Sequence, residues 1–101
     1  MAWLKFGSSK PSTLNLILST LNLLPMWTET NNKLYRKFQF TNFSEAFAFM
    51  TRVALEAEKM DHHPLWTNVW NTVEIWLSTH DAGDIVTEKD RLLAAKIDGL
   101  I

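Results

Sequence analysis

Hydrophobic residues recur with two different periods along this chain, and each change of period marks a predicted element. Three segments have the spacing of an amphipathic helix, at 14–24, from Phe43 to about Lys59, and from Thr87 to a stop at Gly99. The first of them ends at Pro25, which lacks the amide hydrogen that a helix requires. The residues expected to begin the helices are Ser12 or Thr13, Asn42 with Glu45, and Thr87 with Asp90.

Between the helical segments the period falls to two residues, which is typical of β-strands. Strands are predicted over 27–30 and 34–40, on either side of a turn at Asn31-Asn32-Lys33, because asparagine tolerates the positive φ of tight turns. Two further strands are predicted over 65–69 and 73–78, around Trp70-Asn71-Thr72. In the last strand the alternation places Val73, Ile75 and Leu77 on one face.

The elements follow the order α-β-β-α-β-β-α. Hairpin connections imply antiparallel pairing, so we expect an α+β fold in which a four-stranded antiparallel sheet carries three helices on one face. With 101 residues, the chain has the length of a single domain. Residues 1–11 show no periodicity and are expected to form a loose N-terminal arm of that domain.

Charge and composition narrow the classes of partner. Ten basic and eleven acidic residues give a net charge of -1, so no basic excess is present to bind nucleic acid directly. The most apolar stretch, 14–24, is far shorter than the roughly 20 residues of a membrane-spanning helix, and no membrane association is expected. The chain has no cysteine, which fits the reducing cytoplasm.

All three histidines of the chain lie in two short motifs, Asp61-His62-His63-Pro64 and Ser78-Thr79-His80-Asp81. Imidazole has an ordinary pKa of about 6.5, so grouped histidines favour proton transfer near neutral pH. Pro64 places the first motif where the long helix ends, and an antiparallel sheet can bring the end of the last strand beside it. The acidic residues available to orient the rings are Glu58, Asp61, Asp81 and Asp90.

Three structural explanations compete with catalysis. Each histidine can be an ordinary surface or packing residue. The pair His62 and His63 can simply complement the dipole at a helix C-terminus, although this leaves His80 unexplained. A zinc site is the third alternative, but adjacent histidines lack the i, i+4 spacing of a helical zinc motif, and cysteine is absent.

The sequence resembles the pterin-4a-carbinolamine dehydratase family from about Leu24 to Asp98. The motif that carries the resemblance is an acid, three residues, His-His-Pro, an aromatic residue, a later histidine and a later aspartate. In this chain these residues are Glu58, His62-His63-Pro64, Trp70, His80 and Asp90. The segment 82–86 departs from the family pattern, which is often richer in glycine.

The resemblance implies a dehydratase that converts 4a-hydroxytetrahydrobiopterin to quinonoid dihydrobiopterin and water during tetrahydrobiopterin recycling, with no metal or organic cofactor. It implies that His62 and His80 act as acid and base, that His63 mainly holds the pterin, and that Glu58 and Asp61 orient the rings. The catalytic set is therefore His62, His63 and His80. The residues implied to bind the pterin are Glu58, Asp61, His62, His63, Ser78, Thr79, His80 and Asp81.

The resemblance also implies that the protein associates with copies of itself and with other proteins. Members of the family form homotetramers, in which dimers joined by sheet edges associate through helices. Some animal members bind a homeodomain transcription factor as a dimerisation cofactor. This second role would add the nucleus to the cytoplasm as a location, and it is the alternative to an enzymatic function.

Overall fold

The structure is a computed structural model that describes residues 27–101. The N-terminal arm and the first predicted helix lie outside these residues. The described elements are strands β1 (Thr28–Thr30) and β2 (Lys33–Gln39), helix α1 (Phe43–Lys59), strands β3 (Leu65–Val69) and β4 (Thr72–Leu77), a short 3-10 helix (His80–Ala82) and helix α2 (Glu88–Asp98).

The predicted four-stranded antiparallel sheet is confirmed, and its strands lie in the order β1-β2-β4-β3. Asn31 and Asn32 have φ values of 52° and 64°, which confirms the tight turn between β1 and β2. The last strand begins and ends one residue earlier than predicted, so Ser78 lies outside it. The two central strands, β2 and β4, are separated in the sequence by α1 and β3, but they pair directly in the sheet, with Leu34 opposite Leu77.

The core lies on the side of the sheet that the two described helices cover. The predicted inward face of β4 is confirmed, since Val73, Ile75 and Leu77 are at most 1% exposed. Each of these side chains contributes about 1.5–3 kcal/mol by leaving water. The remaining core residues are Leu34 and Phe38 from β2, Ala46, Phe49, Val53 and Ala57 from α1, and Leu93, Ala94 and Ile97 from α2.

The other face of the sheet carries Tyr35, Glu74 and Trp76. The Tyr35 hydroxyl donates a hydrogen bond of 2.6 Å to Glu74 Oε2, and the Tyr35 and Trp76 rings lie 5.2 Å apart. The hydrogen bond, then burial, then the charge of Glu74 raise the pKa of Tyr35 above its ordinary 10.0. A cavity of about 380 Å³ opens on this face, and no histidine lines it.

Both described helices begin as the sequence predicts. Asn42 Oδ1 accepts a 2.9 Å hydrogen bond from the backbone N–H of Glu45, and Asp90 Oδ2 accepts one of 2.8 Å from the backbone N–H of Thr87. Within residues 27–101, no helix is both long enough and apolar enough to cross a lipid bilayer.

Candidate active site

The end of α1 directs His62 into the protein interior. After Met60, Asp61 adopts a left-handed conformation with φ of 50°. The backbone N–H of His62 then donates to Ala57 O at 3.0 Å, and that of Asp61 donates to Glu58 O at 3.0 Å. These two hydrogen bonds form a Schellman motif, which reverses the chain and fixes the backbone of His62 against the last helical turn.

His62 is paired with Asp90, the residue that also caps α2. The imidazole Nε2 lies 2.6 Å from Asp90 Oδ1, and Asp90 is completely buried. Asp90 Oδ2 accepts a second hydrogen bond of 2.8 Å from the Thr79 hydroxyl, in addition to that from the Thr87 amide. The sequence placed Asp90 at a helix start and among the nearby acids, but it could not select Asp90 as the partner of His62.

This arrangement determines which nitrogen of His62 is available for chemistry. With Asp90 as a carboxylate, each of its three contacts is a donor, so Nε2 of His62 carries a proton. The other nitrogen, Nδ1, makes no hydrogen bond to the described residues. Nδ1 can therefore accept a proton when the ring is neutral and donate one when the ring is charged.

His63 lies on the surface, and its partner is Glu58. His63 Nε2 is 2.8 Å from Glu58 Oε1, and both side chains are more than half exposed. The expectation that Asp61 orients a histidine finds no contact in the structure, where Asp61 is exposed and the carboxylates beside His62 and His63 belong to Asp90 and Glu58. The left-handed conformation of Asp61 instead helps to end the helix.

His80 begins the 3-10 helix instead of ending a strand. The preceding residue, Thr79, is buried and forms an isolated bridge with Ile85, in which Thr79 N–H donates to Ile85 O at 2.8 Å. His80 itself and its neighbour Asp81 are exposed. The Thr79 side chain therefore faces inward to Asp90, whereas His80 is exposed.

Asp90 thus joins the two histidine motifs. One carboxylate oxygen contacts His62 and the other contacts Thr79, the residue before His80. The end of α1 and the segment after β4 are thus connected through a residue of α2. In the described part of the chain, no three His, Asp or Glu side chains group as metal ligands would.

Ser78, predicted to touch substrate, is hydrogen bonded within the protein. Its hydroxyl donates to Asp84 Oδ1 at 2.6 Å, and Lys33 Nζ lies 3.2 Å from the same hydroxyl oxygen. The ammonium of Lys33 also contacts both Asp84 oxygens, at 3.2 and 3.1 Å. The hydrogen bonds from Ser78 and then Lys33 hold the pKa of Asp84 below its ordinary value, and the charges of Lys33 and His80 act in the same direction.

Sequence comparison identifies the family that this arrangement comes from. The profile of the family described as pterin 4 alpha carbinolamine dehydratase matches residues 10–100. A protein of Solibacter usitatus, provisionally named pterin-4-alpha-carbinolamine dehydratase, is 54% identical over 84 residues, which cover 83% of this chain and 87% of that protein. A protein of Rhizorhabdus wittichii with the same provisional name is 48% identical over 95 residues, covering 92% and 97%.

Solved structures of a pterin dehydratase and of a pterin dehydratase-like protein also match this chain. The crystal structure of a transcriptional coactivator/pterin dehydratase from Brucella melitensis matches with a TM-score of 0.72 and 36% identity, covering 91% of this chain and 98% of that chain. A pterin dehydratase-like protein identified as a RuBisCO assembly factor in the alpha-carboxysome matches with a TM-score of 0.64 and 26% identity, covering 74% and 88%. Proteins with this fold therefore include one that is described by a role in assembly.

Proposed function

This chain belongs to the pterin 4 alpha carbinolamine dehydratase family, and we propose that it dehydrates 4a-hydroxytetrahydrobiopterin to quinonoid dihydrobiopterin and water in tetrahydrobiopterin recycling. The observation that carries the proposal is the contact of Asp90 with both histidine motifs. Asp90 holds the buried imidazole of His62 beside the loop that carries the exposed imidazole of His80. The reaction needs two groups that exchange protons near neutral pH.

The chemistry assigns a task to each ring. One imidazolium protonates the hydroxyl on C4a, and the C–O bond breaks to release water. A neutral imidazole removes the proton from N5, and the electrons of the N–H bond form the C4a=N5 double bond. His62, through Nδ1, and His80 take these two tasks, and the contact of Asp90 with Nε2 holds the ring of His62 in place.

The surrounding residues supply binding. We propose that the exposed pair of His63 and Glu58 contacts the pterin ring, whose polar edge needs hydrogen-bond partners when it leaves water. Around His80, we propose that Thr79 and Asp81 contact the ring as well. Ser78 would contribute through its backbone, since its hydroxyl is held by Asp84.

The test is the dehydration rate of freshly generated 4a-hydroxytetrahydrobiopterin, with and without a metal chelator. We expect His62→Ala to lower the catalysed rate by about 10²-fold or more, because acid-base catalysis contributes about that much. Lys59→Ala, at the same end of α1 and highly exposed, is the matched control and should behave as wild type. A wild-type rate no faster than the spontaneous reaction would refute the proposal, and loss of rate on chelation would refute its metal-free form.

A second candidate function, binding of a transcription factor, is favoured by an exposed apolar surface on α1. Phe43 and Phe47 stack at 5.7 Å between ring centroids although they are 48% and 54% exposed, and Leu55, about two turns after Phe47, is 60% exposed. Exposed apolar patches of this kind mark protein interfaces. The name of the Brucella melitensis protein, which includes a coactivator, supports this candidate.

The same surface would also serve a homotetramer, which we propose for this chain. The exposed edge strand β3, where Leu65 and Val69 are 61% and 75% exposed, supplies a second surface for association. Light scattering after gel filtration should give a tetramer for wild type and a smaller species for Phe47→Glu, and unchanged mass in that variant would assign the α1 surface to another partner. The proposed location is the cytoplasm, joined by the nucleus if the second role holds.

A further inference from the structure

His80 lies within a closed loop whose ends are tied by backbone hydrogen bonds. Thr79 N–H donates to Ile85 O at 2.8 Å, and Asp84 N–H donates to Thr79 O at 3.0 Å. Inside this loop, Gly83 N–H donates to His80 O at 3.0 Å. The carbonyl of His80 also accepts from Asp84 N–H at 3.3 Å, so backbone hydrogen bonds connect His80 directly to Asp84.

Asp84 adopts a conformation that its own backbone does not favour. Its φ is 61°, directly after Gly83 with φ of 94°. Glycine occupies the left-handed region freely, whereas aspartate does so only at a conformational cost. Contacts of the Asp84 side chain must compensate for that cost.

The compensating contacts come from Lys33 and Ser78, and we define these three residues as the Asp84 cluster. Both carboxylate oxygens of Asp84 are occupied, Oδ1 by Ser78 at 2.6 Å and Oδ2 by Lys33 at 3.1 Å. The side chain of Lys33 is only 26% exposed. Its ammonium contacts three oxygen atoms, one of Ser78 and two of Asp84, although the Asp84 side chain is 56% exposed.

Lys33 attaches the loop to β2, one of the two central strands of the sheet. It is the first residue of β2 and is 51 positions from Asp84 in the sequence. The next residue, Leu34, is buried and lies opposite Leu77, the last residue of β4. The loop that carries His80 is thus held at one side by Asp90 and at the other by Lys33.

We propose that Asp84 is a positioning residue that, with Lys33 and Ser78, fixes His80 for proton transfer, an inference that rests on the proposed dehydratase function. The contact with Asp90 fixes only Thr79, which precedes His80. The Asp84 cluster holds the residues that follow His80, so the backbone that carries the imidazole is held on both sides. Ser78, for which we propose a backbone contact with the pterin, contributes its hydroxyl to this cluster.

The experiment is a double-mutant cycle on kcat and KM with Lys33→Met, Asp84→Asn and the double variant. Asparagine tolerates the left-handed conformation, so Asp84→Asn removes the charge with little change in the backbone. Each single variant should lower kcat by about tenfold, with KM changed by less than about twofold, because small errors in the placement of a reacting group reduce rates by such factors. The double variant should lose no more than either single variant, since both break the same contact.

Two further variants separate positioning from general damage. Lys33→Arg keeps a donor for Asp84 and should retain most of the kcat that Lys33→Met loses. Lys37→Met removes a more exposed lysine of the same strand and should have the kcat of wild type. Wild-type kcat in Lys33→Met and Asp84→Asn, or losses that multiply in the double variant, would overturn the inference.

Amide hydrogen exchange on the same variants tests the cluster without reference to activity. The amides of Gly83 and Asp84 should exchange faster in Lys33→Met and Asp84→Asn than in wild type and Lys37→Met. If wild type proves inactive, the proposed function fails, and faster exchange would still establish that the cluster fixes the loop. Unchanged exchange in both variants would overturn the positioning role itself.

Discussion

Replacing Asp90 with alanine should lower the free energy of unfolding by about 3–5 kcal/mol, because it removes a buried carboxylate that accepts three hydrogen bonds. Asp90 is 0% exposed and accepts from His62, Thr79 and the Thr87 amide. Alanine would leave these donors without their acceptor, and each buried donor left unsatisfied costs about 1–3 kcal/mol. The capping interaction of α2, worth about 1 kcal/mol, would be lost as well.

Asp90→Asn should cost less, about 1–3 kcal/mol. The amide has nearly the volume of the carboxylate and can still accept from Thr79 and Thr87. It replaces charge-assisted hydrogen bonds with neutral ones, which are roughly half as strong. It also presents a donor or a neutral acceptor to His62 Nε2 in place of a carboxylate.

Urea unfolding followed by tryptophan fluorescence measures these differences, with His62→Ala and the Asp90→Ala/His62→Ala double variant completing a cycle. Asp81→Ala is the matched control, because this aspartate is exposed and should change stability by less than about 0.5 kcal/mol. Thermal unfolding should agree, since each kcal/mol shifts the midpoint by about 4–8 °C in a domain of this size. A loss below about 1 kcal/mol in Asp90→Ala, or single losses that simply add in the double variant, would refute the reasoning.

The raised pKa of Tyr35 can be read directly, because this is the only tyrosine in the chain. Ultraviolet titration should give a midpoint above 10.0 that falls towards it in Glu74→Gln, and an ordinary midpoint in wild type would contradict the contact. The pKa of Tyr35 is higher in the folded than in the unfolded protein. The contacts of Tyr35 therefore stabilise the fold below about pH 10, and this contribution is lost as pH rises through the folded-state pKa. For Asp84 the shift has the opposite sign, so its contacts stabilise the fold above about pH 4 and are lost as pH falls through the lowered pKa. Carbon NMR titration of Asp84 should show the lowered pKa, and Ser78→Ala should raise it more than Lys37→Met does, whereas equal effects would contradict the assigned cause.

The sequence determined the elements whose causes are local. Asn42 and Thr87 cap helices through contacts within three residues, and Asn31 with Asn32 forms a turn through their own backbone preferences. The alternation in β4 selected the buried face correctly, because side chains of a strand must alternate across the sheet. The grouping of histidines and the motif around them were sufficient to indicate the family.

Tertiary structure decided which side chains meet. Asp90 and His62 are 28 residues apart, and their contact depends on how α2 packs against the end of α1. The sequence offered four acids near the histidines, and the resemblance assigned the orienting role to Glu58 and Asp61. In the folded protein Asp90 is buried against His62, whereas Asp61 and Asp81 are exposed. Lys33 reaches Asp84 because β2 lies beside β4 in the sheet. Local conformation depends on neighbouring residues and can be predicted from them. Contacts such as His62–Asp90 and Lys33–Asp84 form only when distant segments of the chain pack together.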